Sequence, residues 1–184
     1  PERIRIVATN ALRQAKNAND FISRANKILP KPIEVIAGRE EARLIYLGVS
    51  HTNASSDKRL VIDIGGGSTE FIIGQEFDPL LTESLQMGCV AFTQKYFADG
   101  QITKEAFNNA MSAARKEVMA INGRYQKVGW SSAIGSSGTI KAVRNVLVSK
   151  GWADEQERIT YKGVKKLEKL LLKIANVDDI VLIA

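Results

Sequence analysis

The segment from residue 61 to residue 74, VIDIGGGSTEFIIG, constrains the fold of this chain more than any other. Apolar, β-type runs stand on both sides of three consecutive glycines, so the segment predicts two strands joined by a tight turn. A turn alone needs one or two glycines. Acidic residues, Asp63 and Glu70, stand on either side of the turn. We therefore predict that a ligand approaches the backbone at this point.

Two known glycine-rich loops do not fit this segment. A dinucleotide-binding fingerprint has a small residue at its sixth position and continues into a helix, whereas Glu70 and the β-type run FIIG follow here. A Walker A loop requires a lysine, which the segment lacks. A bare hairpin turn and a phosphate-binding hairpin remain as the two interpretations.

The phosphate-binding hairpin also accounts for the flanking residues. Successive backbone N–H groups in a glycine turn form a concavity that binds anions. Ser68 and Thr69 add hydroxyl donors, so we expect phosphate contacts from Gly65, Gly66, Gly67, Ser68 and Thr69. Phosphate groups are usually handled with Mg²⁺, which prefers oxygen ligands. Asp63 and Glu70 are the predicted carboxylates at that ion.

A second glycine-rich segment, AIGSSGTIK at residues 133–141, predicts a strand, a turn and a helix. The turn would place free N–H groups and the positive end of the helix dipole at one point. The predicted phosphate contacts are Gly135, Ser136, Ser137, Gly138 and Thr139. A plain strand-to-helix turn with Thr139 near the cap fits equally well. Two such loops together favour a ligand with more than one phosphate.

The helix predicted from GREEARLIYLGV carries two adjacent glutamates. On a helical wheel Glu41 falls near the middle of an apolar arc, and Tyr46 lies on the opposite, polar side. An inward carboxylate is costly unless it has a partner or a task, so we predict Glu41 to be a general base or a residue that positions water. Glu40 is interpreted as a charge that complements the helix dipole. Arg13 is either a phosphate ligand or a surface charge.

Apolar periodicity predicts the remaining elements, with Thr103 as a helix N-cap. The predicted strands are residues 3–8, 33–37, 60–64, 70–74, part of 79–88 and 130–135, and the predicted helices are residues 11–29, 39–49, 103–121, 138–150 and a lysine-faced helix near 162–174. Two strand–helix units flank a run of hairpins, which indicates an α/β fold with a mixed sheet.

Composition excludes several classes of protein. The chain has 184 residues, 45% of them hydrophobic and 25% charged, as in ordinary globular proteins. Its net charge of +6 is spread without a long basic block, so we expect no nucleic-acid partner. No apolar run approaches the ~20 residues of a membrane span. Cys89 is the single cysteine and is predicted to be a small core residue. We expect a cytoplasmic protein, with peripheral association at the membrane as the alternative.

Several of these motifs together resemble one family, that of the exopolyphosphatases and guanosine pentaphosphate phosphohydrolases. The matching segments are ATNALRQAKNANDF, EEARLIYLGV, VIDIGGGSTE, MGCVAFTQKYF and GSSGTIKAV. GGGST, where the pentaphosphate hydrolases tend to have GGAST, slightly favours the polyphosphatase side. The alternatives are guanosine pentaphosphate hydrolysis and a non-catalytic sensor of alarmones or nucleotides.

The resemblance implies an actin-like, ribonuclease H-like fold of two lobes with an active cleft between them. It also implies Mg²⁺-dependent hydrolysis of inorganic polyphosphate from the chain end, with release of orthophosphate. Glu41 matches the catalytic glutamate, Asp63 and Glu70 match acidic residues near the metal, and Arg13 matches a cleft arginine. Gly65 to Ser68 match the phosphate loop.

The family also has an N-terminal strand and hairpin, with a phosphate loop of its own, that this sequence lacks. The chain begins at Pro1 in an apolar run and is therefore interpreted as a piece of a longer protein. Residues 1–52 are predicted to be the C-terminal part of the first lobe, and residues 53–184 to be most of the second. The full-length parent is expected to be a homodimer.

Overall fold

The computed structural model describes residues 4–53 and 55–183 as an α/β fold with two sheets. The smaller sheet pairs β1 (Ile6–Ala8) with β2 (Ile33–Val35) in parallel. β1 is shorter than the predicted strand, whose first residue lies outside the described residues. The ion pair between Arg5 and Glu34, 2.6 Å from Nη2 to Oε2, lies on the exposed side of this sheet.

The connection between these strands contains two helices rather than the one predicted over residues 11–29. α1 (Asn10–Gln14) ends at Ala15, whose ψ of 126° is extended. α2 (Ala18–Ala25) then begins after Asn17. The prediction of a single helix was wrong. It followed the periodicity of the apolar positions and gave too little weight to Lys16 and Asn17, and asparagine favours helix starts and turns over helix interiors.

The larger sheet has the strand order β5-β4-β3-β6. β3 pairs antiparallel with β4 and parallel with β6, and β4 pairs antiparallel with β5, so the predicted mixed sheet is confirmed. The bounds are β3 (Arg59–Ile64), β4 (Thr69–Gln75), β5 (Asp78–Leu85) and β6 (Ser132–Ser136).

Helices cover this sheet and connect its strands. They are α3 (Gly38–Thr52), α4 (Cys89–Tyr96), α5 (Lys104–Val128), α6 (Ser137–Ser149) and α7 (Tyr161–Ile174), followed by a 3₁₀ helix, Asp178–Ile183. Thr103 caps α5 as predicted, because its hydroxyl accepts from the N–H of Ala106 at 3.1 Å. The sequence did not predict α4, and Cys89 at its first residue is exposed, so the predicted core position of this cysteine was wrong.

Both faces of the larger sheet are packed, because residues that alternate along a strand point to opposite sides. On one face Leu60 and Ile73 pack against Ile121 and Tyr125 of α5. On the other face β3 and β4 pack against α3, in a cluster of Ala42, Tyr46, Val61 and Ile72. α3 therefore shares a core with the sheet formed by residues 59–136. The boundary between lobes at residue 52 stays a prediction.

The face that α3 buries differs from the predicted one. Tyr46 is wholly buried, and it lies over Gly74 of β4, where a side chain would overlap the ring. The buried positions of the helix are Ala42, Tyr46 and Ser50. The prediction that Tyr46 is on the polar side was wrong because Gly74, 28 positions along the chain, makes room for its ring. Glu41 consequently borders the buried face instead of occupying its middle.

In the described part of the chain, no helix is both long enough and apolar enough to cross a membrane.

Candidate active site

Four polar side chains form a row across the larger sheet at the carboxyl end of β3. Asp63 pairs with Glu70 of β4 on one side and with Ser136 of β6 on the other. Glu70 in turn pairs with Ser84 of β5. All four lie on the face covered by α3, because they stand two residues along their strands from positions that face this helix. The sheet register therefore brings together both carboxylates predicted at the metal.

Glu70 is the most buried member of the row, with 1% of its surface exposed. Its carboxylate accepts a hydrogen bond of 2.7 Å from the hydroxyl of Ser84. Burial raises the pKa of Glu70, and hydrogen bonds from Ser84 and Ser68 partly offset this increase. The negative charges of Glu41 and Asp63 raise the pKa of Glu70 further. Glu41, Asp63 and Glu70 thus belong to one electrostatic cluster.

Glu41 lies in the first turn of α3 and forms an ion pair with Arg13. The distance from Arg13 Nη2 to Glu41 Oε2 is 3.0 Å, and each side chain is 17% exposed. Arg13 Nη1 donates to the carbonyl of Ile36 at 2.8 Å. Arg13 is therefore held beside Glu41, and its predicted contact with phosphate stays a prediction. Glu40, by contrast, is bound to Arg43 on the helix surface at 2.8 Å.

The glycine turn between β3 and β4 is packed by its own protein on two sides. A side chain at Gly67 would overlap the side-chain amide of Asn10, and one at Gly88 would overlap the peptide between Gly66 and Gly67. α4 begins directly against the turn, because the N–H of Cys89 donates to the carbonyl of Gly65 at 2.9 Å. Gly67 and Gly88 are therefore explained by the close approach of neighbouring atoms. A left-handed backbone does not explain them, because the described glycines with positive φ angles are Gly100, Gly129 and Gly151.

Gly66 is the exposed residue of the turn. A side chain there would meet Val90 at an ordinary contact distance of 3.4 Å. Within the described part of the chain, the N–H groups of Gly66 and Gly67 donate to no other backbone group. They are the donors available to an anion.

The hydroxyls of the turn are directed into the protein. Ser68 and Thr69 are 3% and 2% exposed. The hydroxyl of Thr69 donates to the carbonyl of Met87, and that of Ser68 contributes to the hydrogen bonding of Glu70. Their predicted contacts with phosphate stay predictions, and the backbone of the turn is the better-placed donor.

The second glycine-rich segment contains no intervening loop. Gly135 and Ser136 end β6, and Ser137 begins α6 with a φ of 75°. The hydroxyl of Ser137 donates to the carbonyl of Ile64 at 2.7 Å, which places the start of α6 directly beside the glycine turn. Ser136, not Thr139, occupies the N-cap position. The structure thus brings both glycine-rich segments to the same end of the sheet.

The donors present fit a hydrated Mg²⁺. Among the described residues, no group of three or more His, Cys, Asp or Glu side chains could hold a metal ion. Mg²⁺ keeps several waters and needs one or two carboxylates. Asp63 and Glu70 supply two carboxylates as direct cross-strand neighbours. Mg²⁺ binding by these residues stays a prediction.

Three contributors to the site were not predicted from the sequence. Ser84 donates a hydrogen bond to Glu70, and Gly38 lies against Ser84. Asn10 lies against Gly67. Ser84 could have been found from its period-two spacing along β5 together with the pairing register. Asn10 stands in the motif ATNALRQ but gives no signal by itself.

Comparison with known proteins places this chain in a family. The model of the Ppx/GppA phosphatase family matches residues 1–182. A guanosine-5'-triphosphate,3'-diphosphate pyrophosphatase of Photobacterium profundum is 42% identical over 97% of this chain and 35% of its own length. The protein of the same name from Vibrio cholerae is 43% identical over the same shares. The chain thus spans about a third of the length of these relatives.

Solved structures agree with the fold. The Ppx-GppA enzyme of Aquifex aeolicus superimposes with a TM-score of 0.74 at 28% identity, over 98% of this chain and 60% of that one. An exopolyphosphatase from Cytophaga hutchinsonii has a TM-score of 0.81 at 23% identity, over 99% and 60%, and shows likeness of fold alone. The actin-like fold expected from the resemblance is confirmed, and the chain belongs to the Ppx/GppA phosphatase family.

Proposed function

We propose that this chain forms one wall of a site that hydrolyses the terminal phosphoanhydride bond of a polyphosphorylated substrate. The observation that carries the proposal is the position of Asp63 and Glu70 as cross-strand neighbours under the helix that carries Glu41, beside a glycine turn with free backbone N–H groups. Carboxylates alone would repel a phosphate, and the N–H groups of the turn and of α6 supply the complementary positive potential.

In the proposed reaction Glu41 orients a water molecule and accepts its proton. The water oxygen forms a bond to the terminal phosphorus while the bridging P–O bond breaks, and the bridging oxygen leaves with the electron pair of that bond. The products are orthophosphate and the substrate shortened by one phosphate. Arg13 keeps the carboxylate of Glu41 aimed from α3. Bound Mg²⁺ would neutralise charge on the phosphate oxygens, and Asp63 and Glu70 would hold it.

The relatives favour guanosine-5'-triphosphate,3'-diphosphate as the substrate, because two of them at 42% and 43% identity carry that name. Inorganic polyphosphate, expected from GGGST in the glycine turn, is the second candidate. Both substrates end in the same phosphoanhydride, so the part of the site described above suits either. Homodimer formation by the parent stays a prediction.

Orthophosphate release by the full-length parent tests this function. Both substrates would be compared with Mg²⁺ present, and substrate binding would be measured in parallel by calorimetry. We expect release from both, with a higher kcat/KM for the guanosine compound. Tight binding of it without orthophosphate release would contradict hydrolysis and favour the sensor. A higher kcat/KM for polyphosphate would instead identify inorganic polyphosphate as the preferred substrate, as expected from GGGST.

A further inference from the structure

Ser84 contacts two parts of the candidate site at once. Its hydroxyl donates to Glu70 Oε1 at 2.7 Å. On its other side it lies against Gly38, where an added side chain would overlap both the Cβ and the hydroxyl of Ser84. Gly38 is the first residue of α3, one turn before Glu41. The side chain of Ser84 therefore fills the space between a buried carboxylate and the start of the helix that carries Glu41.

A buried carboxylate needs donors, because leaving it without a hydrogen bond costs the full desolvation penalty. Ser84 supplies one from the neighbouring strand at the paired position, so the sheet register fixes its direction. Ser84 also limits how closely α3 approaches the sheet, since its contact with Gly38 involves a Cβ and not the end of a flexible side chain. One small residue thus constrains the positions of both Glu70 and Glu41.

We propose that Ser84 is a positioning residue, which fixes the Glu70 carboxylate relative to Glu41 through its hydroxyl and its contact with Gly38. This inference rests on the proposed function only for its effect on turnover. The contacts that carry it belong to the folded chain.

The test is a double-mutant cycle in the full-length parent, with thermal melting as the first readout. Ser84→Ala removes the hydroxyl and keeps the Cβ that faces Gly38. Glu70→Met removes both the charge and the oxygen that accepts from this hydroxyl. Thr82→Ala is the matched control, because Thr82 is two residues earlier on β5 and on the same face. Ser84→Thr keeps a hydroxyl and serves as the conservative variant.

We expect Ser84→Ala to lower the melting temperature in the wild-type background and to have a much smaller effect beside Glu70→Met, where the acceptor is absent. Equal decreases in both backgrounds would overturn the proposal, because Ser84 would then stabilise the fold without acting through Glu70. A decrease no larger than that of Thr82→Ala would overturn it as well.

Steady-state kinetics supply the second readout. We expect Ser84→Ala to lower kcat about tenfold or more with KM changed by less than about twofold, since a lost hydrogen bond to a charged group has that size. Ser84→Thr should recover most of the loss, and Thr82→Ala should resemble wild type. Unchanged kcat in folded Ser84→Ala protein would overturn the positioning role. Wild-type protein without turnover would refute the proposed function, while the melting cycle would still decide the role of Ser84.

Discussion

Arg13 Nη2 lies 3.0 Å from Glu41 Oε2, an ion pair that joins α1 to the first turn of α3 across 28 positions of sequence. The other terminal nitrogen of Arg13 donates to the carbonyl of Ile36 at 2.8 Å. Two partners in different directions fix the guanidinium, and a fixed guanidinium fixes the carboxylate. In this structure Arg13 therefore orients the predicted base.

Removing Arg13 should disorient Glu41. We expect Arg13→Met in the full-length parent to lower kcat by about tenfold or more, because a charge-assisted hydrogen bond is lost. Arg39→Met is the matched control, since Arg39 also pairs with a glutamate at 3.0 Å but is 68% exposed. Steady-state kinetics on both variants would check this. Equal, small effects of the two variants would mean that the Arg13–Glu41 pair does not orient the predicted base.

The adjacent glutamates permit a matched test of the base itself. Glu41→Gln should lower kcat by about 100-fold or more, since a side chain acting in proton transfer typically contributes that much. Glu40→Gln should keep kcat within about twofold of wild type, because Glu40 pairs with Arg43 on the helix surface, where such pairs contribute little. Substrate binding should survive in both. Glu41→Gln protein that retains more than about a tenth of the turnover would exclude Glu41 as the base.

The local pattern of the sequence was sufficient to predict β3, β4 and the glycine turn, and so to place Asp63 beside Glu70. A hairpin with a short turn has few possible registers, and strand alternation decides which side chains share a face. The register confirms that these two residues are direct cross-strand neighbours. Their predicted role at Mg²⁺ remains a prediction.

The contacts that complete the site depend on residues far apart in sequence. The burial of Tyr46 depends on Gly74, and the pairing of Ser84 with Glu70 depends on a register shift between Ile73 and Gly74. Neither can be derived from the periodicity of a single segment. Similarly, the three consecutive glycines predicted a ligand, but packing within the protein explains part of the need for small residues there. Gly67 lies against the side chain of Asn10, and the peptide between Gly66 and Gly67 lies against Gly88.

The predicted Mg²⁺ site is testable through Asp63. Asp63→Asn should raise the Mg²⁺ concentration for half-maximal activity by about tenfold or more, because a charged oxygen near the ion is lost. Asp78→Asn is the control, since Asp78 is exposed at the opposite end of the same sheet. Mg²⁺ titrations of both variants would be compared with wild type. Superimposable curves for Asp63→Asn and wild type would remove Asp63 from the site.

A turn beside α6 should respond to acid. Asp154 accepts from the N–H of Arg158 at 2.7 Å and from that of Gln156 at 3.1 Å. The backbone N–H of Arg158 first, and then its side chain, lowers the pKa of Asp154 below 3.8. Because this pKa is lower in the folded protein than in the unfolded chain, the carboxylate stabilises the turn fully when the pH is above the pKa of the unfolded chain. The contribution is lost as the pH falls through the pKa of the folded protein.

Hydrogen exchange would measure this effect. The protection factors of the Gln156 and Arg158 amides should decrease as the pH falls below about 3.8. Asp154→Asn should have protection that does not vary over the same range, because its side-chain oxygen can accept the same hydrogen bonds but does not titrate. Protection in the wild type that is equally independent of pH would show that the carboxylate does not hold the turn.

The glycine turn offers a test that separates phosphate binding from folding. Gly66→Val should leave the fold largely intact, because among the described residues a Cβ at this position meets only the side chain of Val90, at an ordinary contact distance of 3.4 Å. The same side chain would stand beside the free N–H groups of Gly66 and Gly67 and keep a phosphate oxygen away from them. We therefore expect a nearly wild-type melting temperature and loss of binding to a phosphate analogue in the full-length parent.

Gly88→Ala is the contrasting variant, because its side chain would overlap the peptide between Gly66 and Gly67. A rigid backbone cannot yield as a flexible side chain does, so this variant should lower the melting temperature by displacing α4 from the turn. Melting and analogue titration would be run side by side on both variants. Folded Gly66→Val protein that binds the analogue as wild type does would mean that the three glycines serve packing against Asn10 and α4, and the bare hairpin turn would be the correct interpretation.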